Sequence, residues 1–177
     1  MSIEFEIQNA KFLDEVYVIK PSINIDKRGN IWTSFLKDEI DILLPKNLTF
    51  IQDKFSQSKK NVLRGIHGDK KSWKLVTCVY GDIQQVVVDL RAESNTFKKY
   101  ESFEINAKNQ MSILIPPRFG NAYYVKSKLA IYHYKLAYDG DYIDASDQFT
   151  YRWDDSSIKI NWLCNNPILS ERDKIND

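Results

Sequence analysis

Val62-Leu63-Arg64-Gly65-Ile66-His67-Gly68-Asp69, with Trp73-Lys74-Leu75-Val76 a few residues on, is the stretch from which the chain is read. Its apolar run makes a strand, and the period of two puts Arg64 and Ile66 on one face and Leu63, Gly65 and His67 on the other. A glycine beside the histidine leaves room for a ligand. His67 and Lys74 then converge on one concave place, which Arg64 joins only where twist or a bulge turns it round. On spacing alone, a histidine at a strand end reads as a hydrogen-bonded structural group before it reads as a base.

Around this stretch the chain reads as mainly β. Only 6 glycines and 5 prolines, 13% aromatic residues and many short runs of Val, Ile, Tyr and Phe favour strands, with helices short and peripheral. Its 177 residues are enough for one domain, 1–177, with a core of its own. The balance of 25 Lys and Arg against 24 Asp and Glu gives no global field for nucleic acid or an anionic membrane. An anionic ligand must therefore be met by a local group of cations. Two cysteines, Cys78 and Cys164, form neither a disulfide framework nor a zinc pattern and read as free thiols. With no apolar run of membrane-spanning length and an early acidic Glu4 and Glu6, the expected location is the cytoplasm.

Upstream, 7–15 reads as a short helix, 16–19 as a strand ended by Pro21, and Asp26 to Asn30 as a turn into a strand at 31–35. A helical turn at 37–44 precedes Pro45, a short strand follows at 48–52, and polar 56–61 reads as a loop. Downstream, 74–80 and 83–90 read as a hairpin about Gly81. Strands at 100–105 and 111–115 follow, then a rigid corner from Pro116 to Asn121 and a second hairpin of 122–125 with 129–136. In the tail, 138–150 is irregular, a short strand runs through 160–162, and Ser170 caps a last helical turn reaching Asp173. Short strands at this spacing predict a sandwich or barrel, with the jelly roll the closest match.

Chemistry-bearing residues are few. Tyr132 and Tyr134 share one face of their strand and His133 takes the other, so the tyrosines line any cavity and His133 is structural. Clustered histidine ligands for a metal are missing from the sequence, as are a glycine-rich phosphate loop and a serine or cysteine nucleophile motif.

The residues Gln52-Asp53, Val62 to His67, Lys74-Leu75-Val76, Val88-Asp89-Leu90-Arg91, Ile115-Pro116-Pro117, Tyr134, Trp153-Asp154-Asp155 and Leu169-Ser170 with Asp173 resemble, in order, the dTDP-4-dehydrorhamnose 3,5-epimerase family. The resemblance implies a cupin double-stranded β-helix without metal or cofactor. It also implies a homodimer acting on a nucleotide-diphosphate 4-keto sugar for surface-polysaccharide or capsule synthesis. Carried over by position, His67 resembles the base, Asp173 the carboxylate that orients it, Tyr134 the acid, and Lys74 the cation at the enolate oxygen. Arg64 resembles a sugar or diphosphate contact. Arg28 with Ile31 resembles a nucleotide site shared with a partner subunit, and the resemblance makes Gln52 and Asn121 further expected substrate contacts.

The chain also departs from the family. It has Gly68-Asp69 where an aromatic residue and Gln commonly follow the histidine, Thr33 near a common Glu, and Asn121 where many carry His. The expected reaction is inversion at C3, C5 or both, on a dTDP-linked 4-keto-6-deoxyhexose or a GDP-linked 4-keto-heptose. A cupin ketoisomerase of the same substrates and a catalytically silent sugar-nucleotide-binding cupin are the alternatives.

Overall fold

A computed structural model describes residues 3–142 and 144–174. β1 (Phe5–Asn9) pairs antiparallel with β2 (Tyr17–Pro21), and β3 (Ile23–Asp26) with β4 (Gly29–Trp32) makes a separate hairpin. A short helix α1 (Lys37–Ile40) runs into a 3-10 turn at Asp41–Leu43. There follow β5 (Phe50–Lys59), β6 (Leu63–Gly68), β7 (Trp73–Tyr80), β8 (Asp82–Asp89) and β9 (Tyr100–Asn106). Next come β10 (Ser112–Ile115), β11 (Phe119–Val125), β12 (Leu129–Ala137) and β13 (Phe149–Thr150). A closing 3-10 turn spans Glu171–Asp173.

The strands form a six-stranded sheet ordered β1-β2-β10-β7-β12-β5 and a five-stranded sheet ordered β13-β6-β11-β8-β9. From β5 to β8 the chain changes sheet at every step, and it does so again from β9 to β13. This winding is the expected jelly roll, and it corrects both hairpin readings. β7 and β8 follow each other about Gly81 yet lie in opposite sheets, as do β11 and β12. Local turn chemistry predicted pairing, but β7 finds its partners in β10 and β12 and β8 in β9 and β11.

Apolar burial on three levels explains the long apolar runs. Val76 and Cys78, Ile113 and Ile115 meet Ile83, Val87 and Phe119 between the sheets. Outside the five-stranded sheet, Val86, Val88 and Ile66 are covered by Ile158, Tyr151, Ile160 and Trp162 of the tail. Outside the other sheet, Leu75 and Leu114 pack under Ile40 and Leu44. A strand buried on both faces has no polar side to show, so β8 reads as an unbroken Val86-Val87-Val88. Cys78 is buried with its thiol pushed up to about 12 by that burial, Cys164 is half-buried, and both are free.

Other expectations are corrected by pairing. Residues 7–15 are not a helix, because β1 matches Gln8 to Val18 and Ile7 to Ile19 along β2. The polar stretch at 56–59 is strand rather than loop: Ser56 and Ser58 face the interior and share hydrogen bonds with the Tyr123 hydroxyl. Residues 160–162 are not a strand. The Gln84 side chain donates to Asn161 O at 2.9 Å and accepts from Leu163 N at 2.9 Å, standing in for a neighbouring strand. The helical turns at 37–43 and 171–173 form as expected, and Ser170 Oγ accepts from Asp173 N.

In the β6–β11 ladder, His67 opposes Asn121 and Arg64 opposes Tyr123, three residues against two. Gly65, at φ +114, takes up the extra residue of this bulge. A Cβ there would come within 2.6 Å of both the Ala122 Cβ and the Asn121 carbonyl. Gly65→Ala is expected to cost about 2–4 kcal/mol of stability, measured by urea unfolding. A loss under about 0.5 kcal/mol would remove the bulge's claim to need glycine.

Candidate active site

A cleft of about 300 Å³ opens between the sheets where the interior turns polar. Its walls continue the core rows: Lys74 extends the β7 row of Val76 and Cys78, and Tyr134 extends the β12 row of Ala130 and Tyr132. From β6 come His67 and, because the bulge turns it round, Arg64. Asn121 of β11 and Asp173 of the closing turn complete the set that the sequence places together.

His67 Nε2 lies 2.5 Å from Asp173 Oδ1. Ser170 Oγ donates to the other carboxylate oxygen at 2.7 Å, and Asp173 is only 3% exposed. Burial pushes this carboxyl up, but the hydrogen bonds from His67 and Ser170 outweigh it and hold Asp173 below the usual carboxylate range. An ionised carboxylate only accepts, so Nε2 carries a ring proton, and in the neutral ring Nδ1 is the nitrogen with the lone pair. The Ser170 cap and the contact to the histidine are thus two parts of one arrangement.

Tyr134 stands on the opposing sheet, half-buried, and burial together with the negative Asp144 raises its phenol above the ordinary value. A phenol so placed stays protonated at neutral pH. Lys74 is 5% exposed; burial lowers its ammonium, while Asp69, with Oδ2 2.5 Å from Nζ, opposes the fall. Gln85 Nε2 donates to Asn121 Oδ1 at 2.6 Å, and the Tyr132 hydroxyl, which lies 3.2 Å from the same oxygen, donates its one proton to Gln85 Oε1 at 2.9 Å. This fixes the Asn121 oxygen on the protein and leaves its NH2 as the side chain's donor.

Gly68 does not leave room for a ligand as expected. A Cβ there would fall 2.4 Å from the Phe119 carbonyl and the Phe149 ring, so protein fills the space. His133 is structural in placement, bonded to Asp53 at 2.7 Å on the outer side of β12. Gln52, on β5, accepts from the Tyr138 hydroxyl and does not line the cleft. Arg28 and Ile31 lie away from it on the projecting β3–β4 hairpin, where Arg28 pairs with Asp26 and Ile25 is 79% exposed. The cleft also has Ser56, Tyr123, Asp144, Gln148 and Arg172, which sequence reasoning did not single out. Tyr132 lines the cleft with Tyr134, as their shared strand face predicts, and Arg172 adjoins Asp173, so it was within reach of the pattern. Asp144 and Gln148 sit in an aperiodic segment that carries no such signal.

Residues 11–177 match the sequence profile described as dTDP-4-dehydrorhamnose 3,5-epimerase. The chain belongs to this family. The Salmonella typhimurium dTDP-4-dehydrorhamnose 3,5-epimerase is 33% identical over 165 residues, covering 91% of this chain and 88% of that protein. Among solved structures, the Legionella pneumophila dTDP-6-deoxy-D-glucose-3,5-epimerase in complex with dTDP-4-keto-L-rhamnose superposes with a TM-score of 0.87 at 32% identity. That match covers 96% of this chain and 90% of that one. The Bacillus anthracis dTDP-4-dehydrorhamnose 3,5-epimerase with TDP and PPi bound gives 0.86 at 29% identity, covering 97% and 98%. Among the described residues, no helix is long and apolar enough to cross a membrane.

Proposed function

We propose that the protein inverts C3 and C5 of a dTDP-linked 4-keto-6-deoxyhexose, with His67 as base and Tyr134 as acid. The observation that carries this reading is the His67–Asp173 pair on one wall of a cleft whose other wall presents Tyr134 and the buried Lys74 ammonium. The C4 ketone acidifies the neighbouring C–H bonds. His67 Nδ1 takes the proton, the C–H electron pair becomes an enolate, and the Lys74 ammonium stabilises its oxygen. Asp173 holds the resulting imidazolium. The Tyr134 phenol protonates the carbon from the opposite face, which inverts the centre, and solvent restores both groups.

Arg64, whose Nε donates to Ser58 Oγ at 3.0 Å, meets the sugar or the diphosphate, and the Asn121 NH2 meets the sugar. Gln52 belongs to the nucleotide side. Arg28 and Ile31 reach the cleft of a second copy, so the working form is a homodimer with the β3–β4 hairpin crossing between protomers. The enzyme works in the cytoplasm and supplies sugars for surface polysaccharide. The relatives named as dTDP-sugar epimerases support the dTDP substrate over the GDP-linked heptose.

Incubation with a panel of dTDP- and GDP-linked 4-keto sugars tests this, read by proton couplings around the product ring. Inverted C3 and C5 on the dTDP hexose is the expected outcome; turnover of the GDP heptose alone would replace the substrate, and a moved ketone would replace the reaction. Tyr134→Phe is expected to keep proton abstraction within about tenfold while inversion falls by about 10² or more. Equal loss of both would take the acid's role from Tyr134.

A further inference from the structure

The loop leaving β6 carries a buried carboxylate that the proposed chemistry has not used. Asp69 is 0% exposed, yet it has an unusually complete set of donors. Oδ1 accepts from Lys71 N at 2.8 Å and Ser72 N at 2.5 Å. Oδ2 accepts from Ser72 Oγ at 2.6 Å, from Lys74 Nζ at 2.5 Å and from the Tyr142 hydroxyl at 3.3 Å. Its backbone carbonyl is tied as well, by Arg118 N at 2.6 Å. A side chain held at this many points has one position, and the lysine head bonded to it is fixed with it.

We infer that Asp69 is the positioning residue for Lys74, the counter-ion that aims its ammonium into the cleft and keeps it charged. This rests on the reading of Lys74 as the enolate's cation. An ammonium 5% exposed tends to lose its proton, and a carboxylate in contact is the group that opposes that loss. Both carboxylate oxygens are occupied, whereas Lys74 spends one of its three N–H bonds on Asp69 and has the others for a ligand. A neutral amide at position 69 removes the charge and offers one accepting oxygen in place of two, so Lys74 loses its counter-ion.

Among the described residues, the other ionisable groups around Lys74 come from five places: Arg64 and His67 on β6, Tyr123 on β11, Tyr132 and Tyr134 on β12, Tyr142 and Asp144 after β12, and Arg172 and Asp173 in the closing turn. Asp144 is the other carboxylate whose charge supports Lys74, but it is already paired with Lys54 and half exposed. Asp173 is engaged by His67 and Ser170. Asp69 is therefore the group whose removal changes the charge of Lys74 most.

Without the carboxylate the ammonium loses its proton at lower pH, so activity that needs the charged lysine ends earlier on the alkaline side. Asp69→Asn and Asp69→Gln are expected to move the alkaline limb of kcat down by about one pH unit or more. The Lys74 13Cε signal, assigned by its loss in Lys74→Met, should titrate lower by the same amount. A residue that only packs the loop would lower kcat at all pH values and leave both midpoints in place; that result would overturn the inference.

Should neither variant fold, the wild-type chain decides. The Asp69 13Cγ shift should be that of a carboxylate from pH 5 to pH 9, and a protonated acid beside a neutral amine would end the idea. The carbon signals need no substrate. A shifted Lys74 titration with no epimerised sugar would sink the proposed function and leave the pair standing, while an unshifted one in an active enzyme would do the reverse.

Discussion

His67→Asn is expected to lose about 10³-fold or more in kcat on the epimerised sugar, with exchange of solvent hydrogen into C3 and C5 lost to the same extent. Among the described residues of the cleft, the other candidate bases have their basic atoms engaged, whereas His67 has Nδ1 beyond the Nε2 bond to Asp173. Asp173 is bonded to His67 and Ser170, Lys74 to Asp69, and Asp144 to Lys54. The fold should survive, because His67 is partly exposed at the cleft and its neighbour Ile66 stays buried under the tail. Turnover near the wild-type rate in a folded His67→Asn variant would mean that another group takes the proton.

Lys74→Met combines two losses. The ammonium at the enolate oxygen is gone, a loss of about 10²–10³ in kcat by analogy with removal of one oxyanion donor. The Asp69 carboxylate is also left buried without its counter-ion, and breaking such a pair from one side costs about 3–5 kcal/mol of stability. The two effects separate in a double variant. Lys74→Met with Asp69→Asn should recover most of the stability, measured by denaturant unfolding, while kcat stays low. Recovery of both would place Lys74 in the scaffold rather than in the chemistry.

The sequence carried the strands and the site more readily than their pairing. Jelly-roll winding was legible from spacing, yet the turns at Gly81 and at 126–128 read as hairpins, because a tight turn looks the same whether the next strand pairs or crosses to the other sheet. Ser56 and Ser58 misled in the opposite way: polar residues signal loops only when the strand's inner face is apolar, and here that face borders the cleft. His67, Lys74, Tyr134 and Asp173 were legible as a set only through the resemblance. Nothing in spacing links residue 67 to residue 173, since the contact depends on the tail wrapping the five-stranded sheet. Arg64 was legible with its condition attached, and the bulge at Gly65 meets that condition. Asp69 showed only as a departure from the family, because a buried ion pair five residues apart across a loop has no periodic signature.

The most direct measurement is the fate of the carbon-bound hydrogens when the wild-type protein works on a dTDP-linked 4-keto-6-deoxyhexose in heavy water. The C3 and C5 proton signals are expected to disappear while the ketone stays at C4, and His67→Asn is expected to retain both signals. Inverted product that keeps its original hydrogens, or signal loss that persists without His67, would contradict proton abstraction by His67.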